Sequence, residues 1–135
     1  MKKILFLLLA VLVLVSCQST PITGETISAA GGTYQRVTPA ELETMLKSKD
    51  FVLINVHIPF AGNIPGTDQS IPYDEIQQNL SQLLADKNAK IVLYCSSGRM
   101  SQIAAEELVS MGYTNVWDLK GGMVDWQQTG FELEK

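Results

Sequence analysis

Two short stretches of the chain are apolar at every position: Phe51-Val-Leu-Ile54 and Ile91-Val-Leu-Tyr94. A strand with one wet face alternates polar and apolar residues. A strand without that alternation is buried on both faces, as in a parallel sheet covered by helices on each side. The segments around the two runs fit that arrangement. Thr38-Pro-Ala-Glu41 has a cap residue, a proline at the first helical position and a glutamate three residues after the cap, which is a capping-box start. Leu42, Met45 and Leu46 then line one helix face. Pro72-Tyr-Asp-Glu75 opens a second helix, with Ile76, Leu80, Leu83 and Leu84 on one side. Met100 to Met111 reads as a third, with Ala104, Leu108 and Met111 at helical spacing and Gly112 as its stop. Met123 to Thr129 is a last short helix, ended by Gly130. Tyr34–Val37 and Asn115–Trp117 are brief strands, Gly121-Gly122 is a turn, and Pro59, Gly62, Pro65 and Gly66 make His57–Ile71 a loop. Strands alternating with helices predict an α/β fold: one domain, a mostly parallel sheet, and helices on both of its faces.

The first residues stand apart from that domain. Lys2 and Lys3 precede an unbroken apolar run, Ile4 to Val15, of twelve residues. A bilayer takes about 20 residues to span, whereas the apolar core of a signal peptide takes about 7–15. Leu14-Val-Ser-Cys17 follows directly and resembles the lipobox of bacterial lipoproteins, in which the cysteine is lipidated and becomes the mature amino terminus. The expected organisation is a signal peptide over 1–16, a lipidated Cys17 with a Ser-, Thr- and Gly-rich flexible tether over 17–32, and the folded domain over 33–135. The expected location is the cell envelope, on the periplasmic or extracellular face of a bacterial membrane. Gln18 after the cysteine resembles lipoproteins sent onward to an outer membrane. Loss of residues 1–16 leaves eight Lys and Arg against fourteen Asp and Glu, a net charge of −6. Such an acidic domain has no electrostatic footprint for nucleic acid.

With Cys17 lipidated, Cys95 is the one thiol left and no intramolecular disulfide can form. It sits where a buried strand runs into Ser96-Ser-Gly-Arg99 and then a helix. Unpaired backbone N–H groups at a helix start, and the helix dipole, favour negative charge at that point. They favour the thiolate, which is the nucleophilic form. A cysteine after a Val-Leu-Tyr run is also, on its own, a common small buried hydrophobe. Neighbouring chemistries are excluded by what is missing. Cysteine phosphatases clamp phosphate with an arginine six residues after the cysteine, and that position is Ser101. Dithiol exchange needs a second cysteine. One Cys and one His, His57, do not make a tetrahedral metal site.

The Cys95 loop, together with Leu119-Lys-Gly-Gly-Met-Val-Asp-Trp126 near the end of the chain, resembles the rhodanese family of sulfurtransferases; the likeness covers roughly Tyr34 to Phe131. The resemblance implies a central parallel sheet of about five strands; the expectation is a monomer without a cofactor. It implies ping-pong sulfur transfer: the Cys95 thiolate takes the outer sulfur of a small anionic donor such as thiosulfate, and a thiol or cyanide removes it. Carried onto this chain, the anion-binding amides are those of Ser96, Ser97, Gly98, Arg99, Met100 and Ser101. The chain departs from the family where many members carry arginine, at Ser96 and Met100, so that Arg99 is the one cation of the loop. Asn55, His57 and Asn63 replace the usual Asp, Arg and His. His57 is either an auxiliary group at the acceptor side or a brace for its loop; Asp68 is read as a loop cap, and Trp117 and Trp126 as packing. The competing reading is a non-catalytic module that binds an anion or a protein partner, or senses redox state through Cys95.

Overall fold

The computed structural model describes residues 20–83 and 85–135. The signal segment, Cys17 and Gln18 lie outside the described residues, as do Leu84 and the side chains of Leu80 and Leu83. The described chain runs β1 (Glu25–Ala29), β2 (Gly32–Val37), α1 (Pro39–Leu46), β3 (Val52–Asn55), β4 (Gln69–Ser70), a 3-10 turn (Tyr73–Glu75), α2 (Ile76–Leu83), β5 (Ile91–Tyr94), α3 (Arg99–Ser110), β6 (Val116–Leu119) and α4 (Gly122–Gln128). The six strands form one sheet in the order β1-β2-β6-β5-β3-β4. Every pairing is parallel except β1 with β2.

The two apolar runs lie side by side at the centre, with Val52 opposite Ile91 and Asn55 opposite Tyr94. Their side chains alternate between two cores. Ile91, Leu93 and Cys95 point to the face covered by α2 and α3, among Ile76, Ala104, Ala105 and Leu108. Val92 and Tyr94 point to the face covered by α1 and α4, among Leu42, Met45, Met123 and Trp126. This two-sided burial removes the polar alternation from the strands. The α1 start is as expected: Glu41 N–H donates to Thr38 Oγ1, and the Thr38 N–H donates back to Glu41 Oε2 at 2.8 Å.

Two expectations need correction. The segment assigned to the tether is folded from Glu25 onward: β1 pairs antiparallel with β2, Ile27 opposite Tyr34. Its Ser- and Thr-rich composition resembles a linker, yet the period is two. Thr26 and Ser28 are exposed, while Ile27 and Ala29 pack against the core. The sheet therefore has six strands rather than about five. Before β1, Ile22 already packs against the other core. The His57–Ile71 loop also contains β4, only two residues long, which adds a parallel edge beside β3.

Candidate active site

Cys95 is the first residue beyond β5 and is 1 % exposed. The chain then turns through half-buried Ser96 and exposed Ser97 to Gly98, whose φ of +102° lies in the left-handed region that glycine adopts without strain. Gly98 caps α3. The first four N–H groups of a helix have no partner within it, and here they belong to Gly98, Arg99, Met100 and Ser101. The first intrahelical bond runs from Gln102 N–H to the Gly98 carbonyl at 3.2 Å. The Gly98 N–H instead points back at the sulfur, 3.0 Å from Cys95 Sγ. The thiol donates to Ser101 Oγ at 3.6 Å, and that hydroxyl donates to the Gly98 carbonyl at 3.1 Å. Ser101 is completely buried. Arg99 projects into solvent, and Met100 packs against the α3-side core. Of the residues expected to form the loop, Gly98 and Ser101 are in direct contact with the sulfur.

The carbonyls of the loop are held away by a second helix. Met123 N–H donates to the Cys95 carbonyl and Val124 N–H to the Ser96 carbonyl, each at 2.9 Å. These are amides from the first turn of α4, so the start of one helix secures the loop that leads into another. Such close approach requires Gly122: a Cβ there would lie 2.2 Å from the Cys95 carbonyl oxygen and 2.7 Å from Ser96 backbone atoms. The Gly121-Gly122 pair, legible only as a turn, is a contact surface.

Asp118 has no counterpart among the expected site residues. It lies on β6 opposite Leu93 and shares the sheet face of Cys95. It is fully buried. Arg36 Nε donates to its Oδ2 at 3.1 Å, and Arg36 also donates to the Tyr34 hydroxyl. Burial pushes the Asp118 carboxyl from 3.8 up to about 6, against the opposing pull of the Ser101 hydroxyl and the Arg36 charge. The Ser101 hydroxyl hydrogen bond goes to Gly98, and Asp118 Oδ1 has no hydrogen-bond partner among the described residues. The available signal in the sequence was a lone carboxylate inside the otherwise apolar Val116-Trp-Asp-Leu119.

The loop after β3 borders the site from the neighbouring strand. Val56 N–H donates to the Tyr94 carbonyl, which places Val56 level with Cys95 and His57 one residue further on. Among the described residues the buried His57 Nδ1 has no hydrogen-bond partner. Bracing comes from Asn55, whose Oδ1 accepts from His57 N–H at 3.0 Å and whose Nδ2 donates to the Gly62 carbonyl at 2.9 Å. Tyr94 adds to it, its hydroxyl accepting from Ile64 N–H at 3.0 Å and lying 2.7 Å from Thr67 Oγ1. Asp68 ties its loop to the neighbouring strand instead of capping it locally: it accepts from Leu53 N–H of β3 at 2.7 Å and pairs with Lys49. Trp117 and Trp126 are packing residues: each is buried and satisfies its indole N–H, on Asn115 and on the Glu132 carbonyl.

Comparison with known proteins agrees with this geometry. Residues 38–129 match the rhodanese-like domain, and residues 1–18 match a prokaryotic membrane lipoprotein lipid attachment site. Over 118 residues the chain is 31% identical to thiosulfate sulfurtransferase/rhodanese-like domain-containing protein 3 of Mus musculus, covering 76% of this chain and 74% of the mouse protein. It is 30% identical over 98 residues to thiosulfate sulfurtransferase GlpE of Pseudomonas fluorescens, covering 71% of this chain and 87% of that protein. The crystal structure of a rhodanese-related protein from Thermoplasma volcanium superposes with a TM-score of 0.63 at 26% identity, covering 74% of this chain and 97% of that one.

Proposed function

The chain belongs to the rhodanese-like domain family, and from that premise we propose that it is a sulfurtransferase working through a persulfide on Cys95. The observation that carries the reading is the Gly98 N–H aimed at Cys95 Sγ from 3.0 Å at the head of α3. An N–H in that position suits a sulfur that carries negative charge.

Transfer starts from the thiolate. Cys95 Sγ attacks the outer sulfur of thiosulfate; the new Sγ–S bond forms as the sulfur–sulfur bond of the donor breaks, and sulfite leaves with that electron pair. The persulfide is then attacked at its outer sulfur by cyanide or a thiolate, and the Sγ–S electron pair returns to Cys95. Negative charge thus moves between sulfurs without leaving the loop. The amides of Ser96, Ser97, Gly98, Arg99, Met100 and Ser101 are the preorganised donors for it. Ser101 Oγ accepts from the thiol in the resting enzyme and rotates to donate once the proton has gone. The loop's one cation, exposed Arg99, meets the donor's sulfonate. His57, on the bordering loop, is an auxiliary group for the acceptor.

Cys17 carries the lipid and anchors the domain to the outside of a bacterial membrane, a reading supported by the lipoprotein attachment site over residues 1–18.

The test is turnover of the full chain with thiosulfate and cyanide. Wild type should release sulfite and form thiocyanate in equal amounts; Cys95→Ser should do neither while keeping its fold. Turnover by Cys95→Ser at the wild-type rate would overturn the proposal.

A further inference from the structure

Thr20 and the cysteine loop lie at opposite ends of the sheet. Thr20 and Pro21 line a cavity with Ser48, Asp50 and Lys90. Asp50 and Lys90 stand just before β3 and β5, at the amino-terminal edge of the parallel strands. Cys95 follows β5 at the carboxyl-terminal edge. Between Cys17 and Thr20 there are only Gln18 and Ser19.

From these positions we propose that the amino-terminal edge of the sheet lies against the lipid surface and that the Cys95 loop faces away from it. The inference rests on the reading that Cys17 carries lipid. Lengths decide between the orientations. Three residue steps from Cys17 to Thr20 reach at most about 11 Å. From Ile91 to Cys95 the strand rises about 13 Å; Thr20 lines its cavity with Lys90 at the start of that interval, and the Ser96–Ser97 turn follows its end. With the cysteine loop pressed on the membrane, Thr20 would stand farther from the lipid than its link allows. Had residues 17–32 been a free tether, the domain could adopt any orientation. Because the fold begins so close to Cys17, it cannot.

Charge agrees with length. Lys47, Lys49, Lys87 and Lys90, half of the eight cations left after residues 1–16 are removed, sit in the turns before β3 and β5. Three of them are paired, Lys47 with Glu43, Lys49 with Asp68 and Lys90 with Asp50, so this edge is near neutral in an otherwise acidic domain and repels anionic headgroups only weakly. The consequence for function is a substrate class: the sulfur donor and acceptor of Cys95 are water-soluble species arriving from the aqueous side, not lipid-embedded ones.

The test uses the full chain, made in a lipoprotein-processing bacterium and reconstituted into phosphatidylethanolamine–phosphatidylglycerol vesicles carrying a headgroup-bound acceptor dye. Two variants in the Cys95→Ser background, Ser48→Cys and Ser97→Cys, place a donor dye at either end of the sheet, and intact mass reports the lipid on Cys17 in each. Energy transfer to the headgroups should be several-fold stronger from position 48 than from 97. A lipidated chain with equal transfer from both, or stronger transfer from 97, would overturn the orientation alone. A processed chain of unlipidated mass would overturn the anchor reading, and the orientation with it.

Discussion

The backbone N–H of Gly98 donates to the sulfur of Cys95 at 3.0 Å, and it does so from a φ of +102°. A side chain at position 98 would meet no more than ordinary contact, since its Cβ would lie 3.5 Å from Gly121 N. The strain in Gly98→Ala is therefore conformational, about 1–2 kcal/mol. If the amide is the electrostatic donor argued above, its displacement lowers sulfur transfer by on the order of 100-fold. Thermal unfolding and steady-state turnover of the same variant separate the two effects; a fall in stability with unchanged turnover would count against the amide's role.

Gly122→Ala is expected to be far more damaging. Its Cβ would sit 2.2 Å from the Cys95 carbonyl oxygen, and the atoms in the way are backbone. The α4 start must retreat and lose its two bonds to the loop carbonyls, a loss of more than about 3 kcal/mol. Gly130→Ala is the control. Its φ of +100° costs about the same 1–2 kcal/mol as at Gly98, but nothing lies within 4 Å of the new Cβ, so denaturant midpoints should fall moderately for Gly130→Ala and much further for Gly122→Ala.

The buried Asp118 gives a pH signature. Its carboxyl titrates near 6 when folded and near 3.8 when not. A raised carboxyl pKa means that the native state binds the extra proton between these values. Unfolding free energy thus falls as pH rises through the window, by about 3 kcal/mol at most, and is regained below about pH 4. Asp118→Asn should flatten that slope. Denaturant unfolding at a series of pH values between 4 and 7 checks both statements.

Tyr94→Phe removes the acceptor of the buried Ile64 N–H. An amide left without a partner costs about 1–3 kcal/mol. Hydrogen exchange at Ile64 should speed up in the variant, while the amides of β5 remain protected.

Much of this architecture was legible because it is written locally. Ile91–Tyr94 declares its two-sided burial in four consecutive residues, and Thr38 with Glu41 declares the start of α1. The cysteine loop could be read for the same reason: strand, turn and helix start are contiguous. What escaped depends on contacts between distant parts of the chain. Gly122 meets Cys95 across 27 positions, and Arg36 meets Asp118 across 82. The first strand escaped because Thr26 and Ser28 give it a linker's composition, while its pairing with β2 is visible only in the fold. His57 shows the limit from the other side: its type suggested a hydrogen-bonding ring, but Asn55 supplies the brace.

In the proposed reaction Cys95 carries the transferred sulfur. Intact mass of the protein before and after thiosulfate tests it most directly. A persulfide on Cys95 adds the mass of one sulfur atom, reversed by cyanide and absent in Cys95→Ser. An unchanged mass, with the Cys95 thiol still free to react with an alkylating agent, would contradict it.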